Sequence, residues 1–176
     1  MVTTDISGIV SSVQVREGQL VRKGDVLFQV DPRQFQIALD NAKASLAAIA
    51  LAVTAMKQDY QRMKIDAAAQ EAQVGLDQVN HDRVATLVRT DVASKANYDQ
   101  TRYALEKDKA KLEALRQQAA VQLARLGGNS DIPVTQHPQY LQAQAAVDEA
   151  QRQLDHTTVR APFDGVATQV DTLQPG

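Results

Sequence analysis

VLFQVDPRQFQIALDNA, residues 26–42, changes its period halfway along. Val26, Phe28 and Val30 alternate with other residues, the period-two pattern of a strand. Asp31-Pro32-Arg33-Gln34 then offers a capping residue, a proline suited to the first helical position and a Gln three residues after the cap. Beyond it the apolar residues step by three and four: Leu39, Ala42, Leu46, Ile49, Val53, Met56, Tyr60, Met63, Ala67. That is a heptad stripe, so a strand feeds a long helix at Asp31.

Downstream, the stripe is expected to slip past Met63 into a second register, Ile65, Ala69, Ala72, Leu76, Val79, which changes supercoiling without ending the helix. Gly75 costs about 1 kcal/mol against Ala, which a long helix absorbs. The helical pattern stops near Thr90, and Ser94 is suited to cap a second helix with Asn97 in its first turn. That helix has its own seam: Tyr98, Thr101, Leu105, Asp108, Leu112, Leu115, Ala119, Gln122, Leu126. GGNSDIPVTQHP, residues 127–138, interrupts it with two glycines and two prolines. A third segment restarts near Pro138 with Tyr140, Ala143, Val147, Ala150 and Leu154 as its seam. An outgoing helix over 35–90 would span about 84 Å, and return pieces over 95–126 and 139–156 about 75 Å. Two arms of similar reach joined by a short turn describe one antiparallel hairpin with an offset in its returning arm.

Upstream of Val26, Ile9, Val13 and Val15 precede the turn-like Arg16-Glu17-Gly18, and Leu20-Val21 precede Arg22-Lys23-Gly24-Asp25. Glycines 8, 18 and 24 are expected where the backbone needs special angles. A β pattern returns after His156 in TTVRAPFDGVA, residues 157–167. Gly8-Ile9-Val10-Ser11-Ser12-Val13 and Gly165-Val166-Ala167-Thr168-Gln169-Val170 share one layout: Gly, two small or branched residues, two polar residues, Val. Neither half can bury its apolar face alone, so the simplest assembly joins both into one small domain.

Composition agrees with narrow seams rather than a thick core. Apolar residues are 44% of the 176, yet aromatics are 4% and Trp is absent. A formal net charge of −2, with charges interspersed, gives no basic patch for nucleic acid or an anionic membrane. Without Cys there is neither a disulfide framework nor a thiolate metal site. The most apolar stretch, Ala47 to Met56, is too short to cross a bilayer, so no transmembrane helix is expected. No leader pattern is visible, and Gln174-Pro175-Gly176 reads as an unfinished turn, the mark of an excised fragment.

SGIVSSVQVREGQLVRKGDVLFQVDP, residues 7–32, resembles the first lipoyl half-motif of the membrane fusion, or periplasmic adaptor, protein family. LDHTTVRAPFDGVATQVDTLQPG, residues 154–176, resembles the second, with its R-A-P-x-D-G core. The offset followed by QHPQYLQAQAAVDEAQRQLDHTTVRAP is most similar to the EmrA-like multidrug efflux branch. The resemblance implies an α+β fold: a long antiparallel coiled-coil hairpin inserted between two halves of a small lipoyl-like β-sandwich. Residues 1–31 would form the first half, 32–156 the hairpin (tip near 89–95, break at 127–138) and 157–176 a truncated second half. It implies a periplasmic adaptor of a tripartite efflux pump, joining an inner-membrane transporter of major-facilitator type to a TolC-type outer-membrane channel. Copies would form a ring, six in the family's common form, and an inner-membrane anchor would lie outside this fragment. Several branches carry Arg, Leu four on and Ser seven further at the hairpin tip; Arg83, Leu87 and Ser94 match, where the helical period independently ends.

Blander readings are a solvated Arg, a seam Leu and a helix cap. A carrier role meets an obstacle: the position after Val30 where a lipoyl or biotinyl domain modifies Lys holds Asp31-Pro32, and Lys23 lies in an earlier turn. Enzymatic chemistry finds no constellation. His81, His137 and His156 lack ligand spacing to acidic residues, and Gly127-Gly128 lacks the Lys-Ser/Thr of a phosphate loop. No cofactor is expected. The remaining alternatives are a type I secretion adaptor and a non-transport coiled-coil or carrier module.

Overall fold

The computed structural model describes residues 6–168 and 170. The expected unfinished turn at 174–176, and Gln169 of the repeated pattern, lie outside the described residues. Among the described residues, five strands and three long or medium helices follow in the order β1 (Val10–Val13), β2 (Leu20–Val21), β3 (Val26–Val30), α1 (Arg33–Arg89), α2 (Lys95–Arg125), α3 (Pro138–His156), β4 (Thr158–Arg160), β5 (Gly165–Val166). A 3-10 turn at Val134–Gln136 precedes α3. The chain divides into two compact units: residues up to Ala50 with those from Pro138, and Leu51–His137.

In the first unit the two β halves are joined by backbone hydrogen bonds. One antiparallel sheet has the order β1-β3-β4 and the other pairs β2 with β5, so each sheet takes strands from both ends of the sequence. Between strands the exchange continues: Gly18 N–H donates to Ala167 O (2.8 Å), Gly24 N–H to Ala161 O (2.8 Å) and Val30 N–H to Thr157 O (2.8 Å). Val15, Val21 and Ala161 are buried at the centre, with Val13, Leu27, Ala167 and Val170 against them. Gly24, at φ 96°, takes the left-handed turn that its lack of Cβ permits. Gly8 is required for a different reason than expected: a Cβ there would stand 2.5 Å from Val30 Cγ1, so close approach, not a special angle, calls for glycine.

The start of α1 packs on α3 in the same unit, through buried Leu39, Val147 and Ala150 with Ala42, Leu46 and Leu154 around them. Asp31 accepts from Arg33 N–H (3.0 Å) and holds the Arg33 guanidinium (2.6 Å to Nη2). This pairing depresses the Asp31 carboxyl to about 2. The expected capping box is not completed, because Asp31 N–H donates instead to Ile9 O (2.9 Å) and Pro32 O accepts from Gln36 (2.8 Å).

In the second unit α1 and α2 run antiparallel. The predicted α2 seam is buried or half-buried throughout. On α1 the expected slip of register does not occur. Val53, Met56, Tyr60, Met63, Ala67, Gln70, Val74, Asp77, His81, Val84 and Val88 keep one heptad phase and are all buried or half-buried. The supposed second register lies outside: Ile65 is 68% exposed, Leu76 62% and Val79 58%. Three of the polar seam residues find partners across or along the helices. Gln122 Nε2 donates to Met56 O (3.1 Å), Gln70 Nε2 to Asp108 O (3.4 Å) and Thr101 Oγ1 to Tyr98 O (2.9 Å).

Where α2 ends, Gly127 and Gly128 adopt positive φ (75° and 81°), and Gly128 N–H closes on Leu123 O (2.9 Å), a left-handed C-cap. Leu126 is fully buried, Lys57 Nζ donates to Ile132 O (3.0 Å), and buried His137 donates from Nε2 to Arg125 O (3.2 Å). The interruption is thus pinned to both helices of its own unit.

One further expectation changes. An 18-residue window of α1 is apolar enough, by length and composition alone, to cross a membrane. The cause is that α1 is apolar on two faces: a seam (Leu39, Leu46, Val53) and an outer stripe (Ile37, Leu51) that is exposed.

The seam register is testable by truncation. Leu112→Ala and Leu126→Ala should each lower unfolding free energy by about 2–4 kcal/mol, as buried cavities do, while Ile65→Ala should change it by less than about 0.5 kcal/mol. Denaturant unfolding of the three variants measures this, and a cost at Ile65 equal to that at Leu112 would restore the slipped register.

Candidate functional site

The turn joining α1 to α2 is built from the last carbonyls of one helix and the first amides of the next. Leu87 O accepts from both Val92 N–H (2.9 Å) and Ala93 N–H (3.3 Å), and Asp91 N–H donates to Val88 O (3.2 Å). Thr90 Oγ1 adds a bond to Leu87 O (3.1 Å). To reverse direction in so few residues Asp91 takes φ 57°, the one positive φ among the described non-glycine residues. Aspartate tolerates this region better than most side chains, at a cost of about 1 kcal/mol.

Ser94 starts the second helix. Its extended backbone (φ −77°, ψ 150°) turns Oγ onto Asn97 N–H at 3.2 Å, the N-cap bond expected from the sequence. Behind the turn, buried Val84 and the His81 and Tyr98 rings, 5.2 Å between centroids, hold α1 to α2.

Arg83 and Leu87 stand one helical turn apart on α1. Arg83 is exposed, and among the described residues its side chain pairs with none. Leu87 is 37% exposed rather than a buried seam residue, since Val84 and Val88 occupy the seam on either side of it. Ser94 lies across the turn, exposed on its outer side. The three are therefore on one short, solvated stretch. Sequence reasoning missed Val92, 72% exposed in the turn itself, and the left-handed Asp91 beside it. The only available signal was an Asp at a helix end.

What this surface offers chemically is three cations (Arg83, Arg89 and Lys95), one carboxylate (Asp91), two apolar side chains (Leu87 and Val92) and a row of small polar groups. It suits packing against another protein. Among the described residues no group of three or more His, Cys, Asp or Glu is placed to hold a metal ion. Lys23 sits in a β turn whose backbone N–H donates to Asp164 Oδ1 (2.7 Å), tying the two β halves together.

Below the turn the seam contains an acidic pair. Asp77 faces Asp108 of α2, and the hydrogen bond they share, with partial burial, pushes the Asp77 carboxyl above its usual range. Gln73 Nε2 donates to Asp77 Oδ1 (3.1 Å) and works the other way. Asp77 Oδ2 is buried without a hydrogen-bond partner. On the flanks, Lys109 Nζ donates to Gln78 Oε1 (3.0 Å) and His81 Nδ1 meets Asp82 (3.2 Å).

Residues 1–175 match the family described as RND MFP, barrel-sandwich hybrid domain. The chain is 30% identical over 171 residues to the multidrug resistance protein MdtN of Shigella flexneri, covering 93% of this chain and 49% of that protein. It is 26% identical over 165 residues to the multidrug export protein EmrA of Haemophilus influenzae, covering 94% and 42%. The chain thus spans about half the length of the curated relatives it matches. A solved structure of the periplasmic adaptor protein EmrA aligns with 93% of this chain and 63% of its own, at 15% identity and TM-score 0.43.

Two expectations follow from the turn and the acidic pair. At position 91, stability should run Gly equal to or above Asp, and Asp above Val by more than about 1 kcal/mol; thermal melts of Asp91→Gly and Asp91→Val measure the order. Asp77→Asn should raise the melting temperature at pH 7. A carboxyl whose folded pKa is raised contributes stability below its ordinary value and loses it as pH rises through the folded one. The gain from Asn should therefore shrink as pH falls toward about 4, and a gain that grows on acidification contradicts the pairing.

Proposed function

The chain belongs to the RND MFP family of membrane fusion proteins, in its barrel-sandwich hybrid domain, and from that premise we propose that it is part of a non-enzymatic periplasmic adaptor of a multidrug efflux pump. In this reading the full-length protein is anchored in the inner membrane and joins a transporter there, of major-facilitator type, to a TolC-type outer-membrane channel. Its copies form a ring, and substrate passes along the assembly chemically unchanged. Residues 1–31 and 157–176 form the two halves of the lipoyl-like domain, and 32–156 the inserted hairpin with its tip near 89–95 and its break at 127–138.

The observation that carries this reading is the interlocking of the chain's two ends. A small β domain closed by strands from both sides of a helical insertion needs only the packed base of that insertion, α1 on α3, to bring its strands together, and has no use for the length beyond it. The hairpin is therefore read as the working part and the β unit as its base. Relatives named for multidrug resistance and export support the same assignment.

In the proposal Arg83, Leu87 and Ser94 dock the hairpin turn against the channel. A solvated Arg, a half-exposed Leu and a hydroxyl already used in capping make a weak site, on the order of 1 kcal/mol per group. Arrayed copies engaging one channel convert weak contacts into a firm one, because each later contact is intramolecular.

Site-specific photo-cross-linking from position 94 of the full-length protein in cells tests the docking. Capture of an outer-membrane channel is expected, and Arg83→Asp together with Leu87→Ala should reduce both that capture and drug resistance at unchanged protein level. Capture of other copies of this chain alone would replace channel docking by closure of tip against tip.

A further inference from the structure

Within the second unit, α1 and α2 leave an open groove of about 320 Å³ along one flank of their seam. Proteins hold small organic molecules in spaces of this size and upward. Half-buried Ala67 and buried Ala119 form its floor, with exposed Ala68 and Ala120 on its sides. Side chains that end at Cβ leave the space between two helices unfilled. At one end the apolar lining continues into the half-buried Tyr60 ring and Leu123. At the other, Arg116 of α2 reaches Glu71 of α1 (2.8 Å), and this ion pair spans the groove. From Tyr60 to Glu71 is eleven residues, about 16 Å along the helix.

The charges that line the groove are unequal. Glu71 and Arg116 neutralise each other. Lys64 lies between Tyr60 and Glu71, is exposed, and makes no ion pair among the described residues. Its ammonium stands over the face of the Tyr60 ring, 5.8 Å from the centroid. The ring's negative face attracts the cation there, so the one uncompensated charge is held at the edge of the groove.

Shape and charge together select an occupant. A helix laid along the hairpin would ride over a trough of three turns that a salt bridge crosses at one end. A flat molecule of two or three rings matches the length, and the Tyr60 face and alanine methyls give it apolar surface. A cationic molecule would meet Lys64 while Glu71 is already taken by Arg116. A neutral one would leave Lys64 unused. An acidic group on the ring system answers the charge that the groove leaves open.

We propose that this groove is a binding site for a flat aromatic acid, with its rings along Tyr60, Ala67 and Ala119 and its carboxylate or sulfonate on Lys64. The site goes beyond the adaptor reading, since it needs neither the contact at the turn nor a ring of copies. An occupant touches both helices, so binding favours their paired state.

The probe that tests this is 8-anilinonaphthalene-1-sulfonate, an aromatic acid whose fluorescence rises in apolar surroundings. Titrated into the full-length protein in lipid nanodiscs, with empty nanodiscs subtracted, it should give a saturable signal with Kd on the order of 10–100 µM. Ala68→Leu and Ala120→Leu each put a side chain into the groove from a different helix, at exposed positions where Leu is a good helix former. Each should weaken that binding at least about tenfold. Lys64→Glu should weaken it about tenfold as well, and Lys64→Arg should keep it within about twofold of the unaltered protein. No saturable signal from the unaltered protein, or a signal unchanged in either filled variant, would overturn the site. Equal affinity in Lys64→Glu would overturn the acid as its ligand. Channel capture from position 94 reports the docking alone, so the failure of either proposal leaves the other standing.

Discussion

Everything in the first unit depends on Val30 and Thr157 meeting. The hydrogen bond between them, Val30 N–H to Thr157 O at 2.8 Å, closes a loop that starts at Asp31 and ends at His156. Closing a flexible loop of roughly 125 residues costs about 4 kcal/mol plus a constant, more than a three-residue strand such as β4 can return. The cost falls because the intervening chain is not flexible. α1 begins one residue after Pro32, α3 ends one residue before Thr157, and they are packed together by Leu39, Val147 and Ala150 next to the closure. Helix packing delivers the strand ends, and the strands then hold the helix ends, so neither part of the unit is stable without the other.

Helix boundaries were legible because they are local. Asp31-Pro32, Ser94, Gly127-Gly128 and Pro138 mark ends by their own backbone requirements, and α1, α2 and α3 start or stop within two residues of each. The two β halves were legible for a related reason, since a repeated Gly-led pattern identifies chain segments that need the same kind of partner. Register on α1 was not legible. Apolar Ile65, Leu76 and Val79 outweigh polar Gln70, Asp77 and His81 on any hydropathy reading, yet phase, not hydropathy, decides which row faces α2. In a two-helix seam each residue meets one neighbour and keeps one side near water. A Gln that reaches a carbonyl on the opposite helix, as Gln70 and Gln122 do, satisfies its amide there and can occupy the seam.

The turn shows the opposite balance. Ser94 was readable as a cap, and the structure has it capping. Asp91 and Val92 were not readable, because their conformation answers to the geometry of reversal and their exposure to whatever meets the turn. Arg83 gains a second meaning from the corrected register. It occupies the next step of the exposed series after Val79, so that series runs without a break in phase into the surface proposed for docking. A cation at that step ends the apolar row near where the helix itself ends.

Two stripes with one repeat on one helix restrict α1 more than either would alone. An insertion or deletion of three or four residues can be absorbed in a single seam as a stammer or stutter, with local over- or unwinding. Between Leu51 and Val79 the same event would rotate the exposed stripe along with the inner one. Only whole heptads keep Val53 inside and Leu51 outside in step with what comes after. This explains why Gln70, Asp77 and His81 persist in the seam at a cost that apolar residues would avoid. Making them apolar while Leu76 and Val79 remain would leave α1 apolar all the way round, and its choice of face toward α2 would no longer be set by sequence. Gln70 specifies orientation by being acceptable inside only where α2 supplies its partner, the Asp108 carbonyl, and His81 where Tyr98 of α2 lies against its ring.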